Sequence, residues 1–158
     1  ERSRGLGDVY KRQPFTRFRT GVFASPDYLA QHPLAEPEAL VDHECITLRM
    51  LGGSDNIWTF KSKSGEPLDL SVRGGFVCDN TLPAVGLAKL GMGIVYAPYY
   101  SLATELAAGQ LVPCLKKERC IDLQAWLIYQ RRDILPLRVQ ALLDGLSAHI
   151  KNLSHLLL

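Results

Sequence analysis

Residues 75–98 leave little freedom in what this chain can fold into. Gly75-Phe76-Val77-Cys78 has the apolar character of a short strand, and Asp79-Asn80-Thr81 offers three consecutive residues able to cap a helix. Pro83 is tolerated in a first helical turn, Ala84 to Leu90 is a helix of small residues, and Gly91 ends it. Met92 to Ala97 is again apolar and strand-like, closed by Pro98. Strand, capped helix and strand make a βαβ unit, which implies a parallel sheet.

The flanking sequence agrees. Phe15 to Phe23 is aromatic and β-branched enough for a strand. Ser25 before Pro26 suits a helix start, and that helix stops at His32-Pro33. Glu36 to Val41 reads as a second short helix. Strands are expected at Cys45–Arg49, Ile57–Lys61 and Leu68–Val72, punctuated by Gly52-Gly53 and Ser64-Gly65. Ser101 to Ala108 reads as a helix, Leu111 to Leu115 and Leu123 to Gln130 as strands. Pro136 opens a last helix, on which Val139, Leu142, Leu143, Leu146, Ile150 and Leu153 form one apolar stripe that must pack on something. Alternating strands and helices define an α/β domain. At 158 residues the chain is long enough for one compact domain and short for two.

Residues 1–13 stand apart. They have no periodicity, and Asp8-Val9-Tyr10-Lys11-Arg12-Gln13 is what GAT GTG TAT AAG AGA CAG encodes, a string resembling the mosaic end of a transposase used in sequencing libraries. The expectation is a non-native, adapter-derived segment, with the biological sequence starting near Pro14; a basic disordered arm is the alternative.

Several functions find no support. A net charge of +2 is too small to argue for a nucleic-acid or membrane surface, and no apolar run approaches the ~20 residues that span a bilayer. Cys45, Cys78, Cys114 and Cys120 form no metal-binding spacing, so no metal and no cofactor is expected. Lys116, Lys117 and Arg119 between Cys114 and Cys120 could lower a thiol pKa, against which stands the reading of idle, buried thiols. No catalytic signature is present. The four histidines are scattered, and the adjacent His43 and Glu44 would face opposite ways on a strand. A non-enzymatic protein is expected. Small-ligand binding is compatible with the pattern, because ligands of open α/β sheets collect beyond the carboxyl ends of parallel strands, beside helix N-termini. Asp79-Asn80-Thr81 sits at one such junction and Ser25 at a second, although capping alone also accounts for both.

From Ala24 onward a series of short signatures occurs in order: Ala24-Ser25-Pro26-Asp27-Tyr28-Leu29, then Leu40-Val41-Asp42-His43-Glu44-Cys45-Ile46, then Trp58-Thr59-Phe60 with Gly65. Asp79-Asn80 follows, with Gly91-Met92-Gly93-Ile94-Val95-Tyr96-Ala97-Pro98, Leu106-Ala107-Ala108-Gly109-Gln110-Leu111-Val112, and the strand from Trp126 to Arg131 leading to Pro136. Taken together over residues 14 to about 150, this resembles the carboxyl-terminal effector domain of LysR-type transcriptional regulators. The resemblance implies a type II periplasmic-binding-protein-like fold of two α/β lobes, each a mixed sheet with flanking helices. Residues 14–131 would form one lobe, and 132–158 a helix returning to a second lobe that is mostly missing. It implies effector contacts at Asp79, Asn80, Thr81 and Leu82, with Ser25 and Tyr96 as further wall residues. The charge of Asp79 would repel a carboxylate unless turned away, which counts against an anionic effector. The partners implied are a small-molecule effector, DNA through an absent winged helix-turn-helix, and a homodimer or homotetramer of the full-length protein, with no membrane and a cytoplasmic setting. The alternative is a solute-binding protein of a transport system with the same fold, against which four unpaired-looking cysteines argue.

Overall fold

The computed structural model describes residues 10–49, 56–115, 120–130 and 135–157. The expected Gly52-Gly53 turn, the basic residues between Cys114 and Cys120, and most of the presumed foreign segment lie outside these. The chain divides into two compact units, Arg19–Asp122 and, separately, Glu1–Phe18 with Leu123–Leu158.

In the first unit, strand β2 (Thr20–Ala24) leads into helix α1 (Pro26–Gln31), a 3-10 turn over Pro37–Asp42, and strand β3 (Cys45–Leu48). The expected helix at Glu36–Val41 is thus the tighter 3-10 form. A hairpin of β4 (Ile57–Lys61) and β5 (Pro67–Ser71) follows, turning at Gly65 with φ 91°. The expected βαβ unit comes next: β6 (Val77–Cys78), α2 (Thr81–Lys89) and β7 (Ile94–Pro98). A 3-10 turn at Tyr99–Leu102, helix α3 (Ala103–Ala107) and strand β8 (Val112–Pro113) complete it.

Five strands form one mixed sheet in the order β6-β3-β7-β2-β8. β3 runs parallel to both β6 and β7, whereas β2 is antiparallel to β7 and β8. The two strands joined by α2 are therefore parallel as expected, but β3 lies between them. Alternation along each strand feeds two cores, one per face. Phe23, Ile46, Val95 and Ala97 point to one face, where α2 contributes Ala84, Val85 and Ala88, and Leu102 and Leu111 close the edge. Val22, Ala24, Cys45 and Ile94 point to the other, against Tyr28, Leu40 and the hairpin residues Trp58 and Phe60. A sheet covered on both faces explains why β2, β3 and β7 are near-continuous apolar runs. Gly74 is required by close approach: a Cβ there would stand 2.1 Å from the Cys45 carbonyl oxygen.

In the second unit, β1 (Tyr10–Phe18) pairs antiparallel with β9 (Leu123–Gln130), with a register shift between Pro14 and Thr16. Residues 10–13 extend this strand. Arg12 lies over the Trp126 ring at 3.9 Å. Helix α4 (Leu137–Leu157) packs beside β1, yet Leu142 and Leu146 of its stripe remain 61% and 40% exposed. Val139, Leu143 and Ile150 of the same stripe are half-buried.

Candidate functional site

Helix α2 begins at the carboxyl end of β6, and Asn80 is its N-cap. Its backbone is extended, at φ −150° and ψ 169°, and its side-chain oxygen accepts from the Leu82 N–H at 3.1 Å. The Asn80 amide donates in turn to the Asp79 carboxylate at 3.1 Å, which fixes which way the amide faces. With Leu82 N–H committed and Pro83 carrying none, the first turn keeps only the Thr81 N–H without a protein partner among the described residues. This terminus is a weaker anion cradle than a bare one.

A cavity of about 410 Å³ opens here, lined by Arg49, Val77, Cys78, Asp79 and Pro83. Arg49 follows β3 directly, and its N–H donates to the Cys78 carbonyl at 2.7 Å, so β3 and β6 end side by side. The cavity therefore presents a guanidinium and a carboxylate together. Burial, reinforced by the Asp79 charge, pushes the Cys78 thiol above its ordinary pKa, which keeps it neutral. Asp79, Asn80 and Leu82 are exposed, Leu82 at 79%. Arg49 was not anticipated. Its place depends on β3 lying beside β6, which no local pattern encodes.

Ser25 and Tyr96 are not brought to this place. Ser25 caps α1, accepting from Tyr28 N–H at 3.2 Å, and is buried. Because β2 is antiparallel to β7, Ser25 lies at the amino end of the parallel strands, opposite Asn80. Tyr96 sits mid-strand, its ring 5.6 Å from both Trp58 and Phe60. Its hydroxyl lies within hydrogen-bond reach of the carbonyls of Ile121 (3.2 Å) and Thr59 (3.4 Å) and of Thr20 Oγ1 (3.0 Å), whose own proton goes to the Ile121 carbonyl at 2.6 Å. Tyr96 thus ties together the segments by which the chain enters and leaves this unit.

Among the cysteines, burial decides. Cys45 and Cys114 are each pushed up to about 12, first by desolvation. Burial keeps the Cys114 thiol neutral. Among the described residues no group of three or more His, Cys, Asp or Glu side chains could hold a metal ion.

A doubly covered mixed sheet, with a cavity and a capped helix start beyond the ends of two adjacent parallel strands, is an α/β lobe of the periplasmic-binding-protein type. The family model of the LysR substrate binding domain matches residues 5–151, and the chain belongs to that family. Among curated proteins, it is 39% identical over 141 residues to the uncharacterized HTH-type transcriptional regulator YiaU of Escherichia coli K12, covering 87% of this chain and 43% of that protein. The full-length virulence activator AphB of Vibrio cholerae superposes with a TM-score of 0.76 at 23% identity, over 91% of this chain and 49% of that one. The regulatory domain of CrgA from Neisseria meningitidis gives 0.69 at 26% identity, over 88% and 68%. The chain thus spans less than half the length of YiaU and of full-length AphB.

Proposed function

We propose that this chain is the effector-sensing portion of a LysR-type transcriptional regulator, and that a small molecule binds at the carboxyl ends of β3 and β6. The observation that carries the site is the convergence of Arg49, Asp79 and the Asn80-capped start of α2 on one cavity. The name of YiaU and the family of the domain support the regulatory role. Asp79 beside Arg49 and the missing N–H of Pro83 favour a ligand bound by mixed donors and acceptors over a simple carboxylate. Ligand binding would act by favouring one of two arrangements of the full-length protein through its differential affinity for them.

DNA contact belongs, in this reading, to a helix-turn-helix outside this chain, and a homodimer or homotetramer is the working assembly. Also proposed are an adapter-derived start at residues 1–13, an effector lobe at 14–131 and a helix reaching a second lobe at 132–158; the family match from residue 5 and the pairing of Tyr10–Gln13 with β9 weigh against the first of these. The setting is the cytoplasm; among the described residues no helix is long and apolar enough to cross a membrane. The role is regulatory rather than catalytic, and the regulator names of the relatives weigh against a transport solute-binding protein.

The test is a reporter assay in a regulator reconstructed with an upstream helix-turn-helix and second lobe. Arg49→Ala, Thr81→Ala and Asn80→Ser should each lower the effector response, Asn80→Ser doing so while retaining a capping oxygen. An unchanged response in all three would leave only a capping role for this segment.

A further inference from the structure

A second cavity, of about 560 Å³, lies at the amino ends of β3 and β6, the opposite end of the sheet from Arg49 and Asn80. That volume is within the range of small-molecule sites. Its walls are Tyr28 and His32 from α1 and its cap, Asp42, His43 and Glu44 before β3, and Arg73 after β5.

The aromatic wall is a built cluster. The Tyr28 ring lies 5.0 Å from His32 and 6.0 Å from His43, and the two imidazoles are 6.5 Å apart. The Tyr28 hydroxyl accepts from the Glu44 N–H at 3.1 Å and meets His43 Nδ1 at 3.3 Å. The arrangement that uses every proton has Tyr28 donating to Nδ1, which leaves the imidazole proton on Nε2. That nitrogen has no protein partner among the described residues, and it is not a sealed, unsatisfied atom either. It therefore has access to solvent beside the cavity its own ring lines.

The charged wall is unpaired. Glu44 is engaged, its carboxylate accepting from Gly75 N–H at 2.9 Å. Arg73 and Asp42 line the same space but do not close on one another, and neither has an ion-pair partner among the described residues. A simple anion would gain Arg73 and face Asp42 and Glu44. A simple cation would gain Asp42 and face Arg73. Only a ligand carrying both charges uses both side chains, and its apolar remainder would rest on the Tyr28 and His32 rings.

We propose that this cavity is a second small-molecule site, selective for a free α-amino acid with an aromatic side chain. Arg73 and the His43 Nε2–H receive the carboxylate, and Asp42 receives the ammonium. The site is separate from the one at α2, so its failure would leave that reading intact.

The experiment is ligand-detected saturation-transfer NMR with calorimetric titration on the whole 158-residue chain, using L-phenylalanine as the probe. The comparators are 3-phenylpropionate, which lacks the amine, and 2-phenylethylamine, which lacks the carboxylate. L-Phenylalanine should bind, and each comparator should be weaker by about tenfold or more. Arg73→Met and Asp42→Asn, both at exposed positions and checked for fold by circular dichroism, should each weaken L-phenylalanine by a similar factor. Equal binding of the comparators, wild-type affinity in both variants, or no transfer to L-phenylalanine at millimolar concentration would each overturn the proposal.

Discussion

Removing the Tyr96 hydroxyl is expected to cost little alone and more when Thr20 is altered with it. In Tyr96→Phe the ring keeps its contacts with Trp58 and Phe60, so only polar partners are lost. The Ile121 carbonyl is still held by Thr20 Oγ1 at 2.6 Å, and the Thr59 contact, at 3.4 Å, is long. The expected loss is therefore that of one ordinary hydrogen bond, about 1 kcal/mol. Thr20→Val removes the shorter bond while Tyr96 can still donate to Ile121 at 3.2 Å, again about 1 kcal/mol. In the double variant neither donor remains and the carbonyl is orphaned. The pair should exceed the sum of the single losses by about 0.5–1 kcal/mol. Urea unfolding followed by Trp58 emission measures this directly, in a Trp126→Phe background that removes the other of the two tryptophans. The slope should stay constant across the series. Additive losses, or a Tyr96→Phe cost of about 3 kcal/mol (the range of a ring truncation), would refute the shared-acceptor reasoning.

Other outcomes follow from burial and charge. Burial, then His32, lowers the His43 pKa from 6.5, while Asp42 opposes them. The folded state therefore resists protonation, and stability should fall as pH drops below 6.5 towards the lowered value; His43→Gln should flatten that decline in pH-dependent denaturation. With Cys45 and Cys114 raised to about 12, iodoacetamide at pH 8 should label neither in the native state and both in urea, read by mass spectrometry. Their linkage runs the other way in base: the unfolded thiols ionise above about pH 9 and the folded ones do not, so stability should decline there. The apolar face of α4 should drive self-association of the isolated chain, and Leu142→Lys with Leu146→Lys should shift sedimentation towards the monomer.

Local chemistry was legible where it is self-contained. Asn80 as a cap, Gly91 at φ 73° past the end of α2, and Ile57–Lys61 and Leu123–Gln130 as strands all rest on neighbours in sequence. Spatial order was not. Nothing near residue 45 says that β3 inserts between β6 and β7, and that insertion is what sets Arg49 beside α2 and separates Ser25 from it. Tyr96 shows the same limit: alternation places it on one face of β7, but only the fold reveals that the β4–β5 hairpin covers that face. His43 and Glu44 do diverge as strand neighbours should, one to Tyr28 and the other to Gly75, yet both border one cavity because the strand begins only at Cys45. For Cys114 the desolvation that raises its pKa was not legible, because it depends on how the fold buries the thiol.

The bond from Thr20 Oγ1 to the Ile121 carbonyl joins residues at the two ends of the unit Arg19–Asp122. That unit is in effect a loop tied shut at its own neck. A segment whose ends already touch can be cut out, carried into another chain or re-threaded from a new starting point with little change in its internal contacts. Such a cassette is joined covalently to the rest of its chain through the two segments that flank it in sequence, so its internal contacts travel with it.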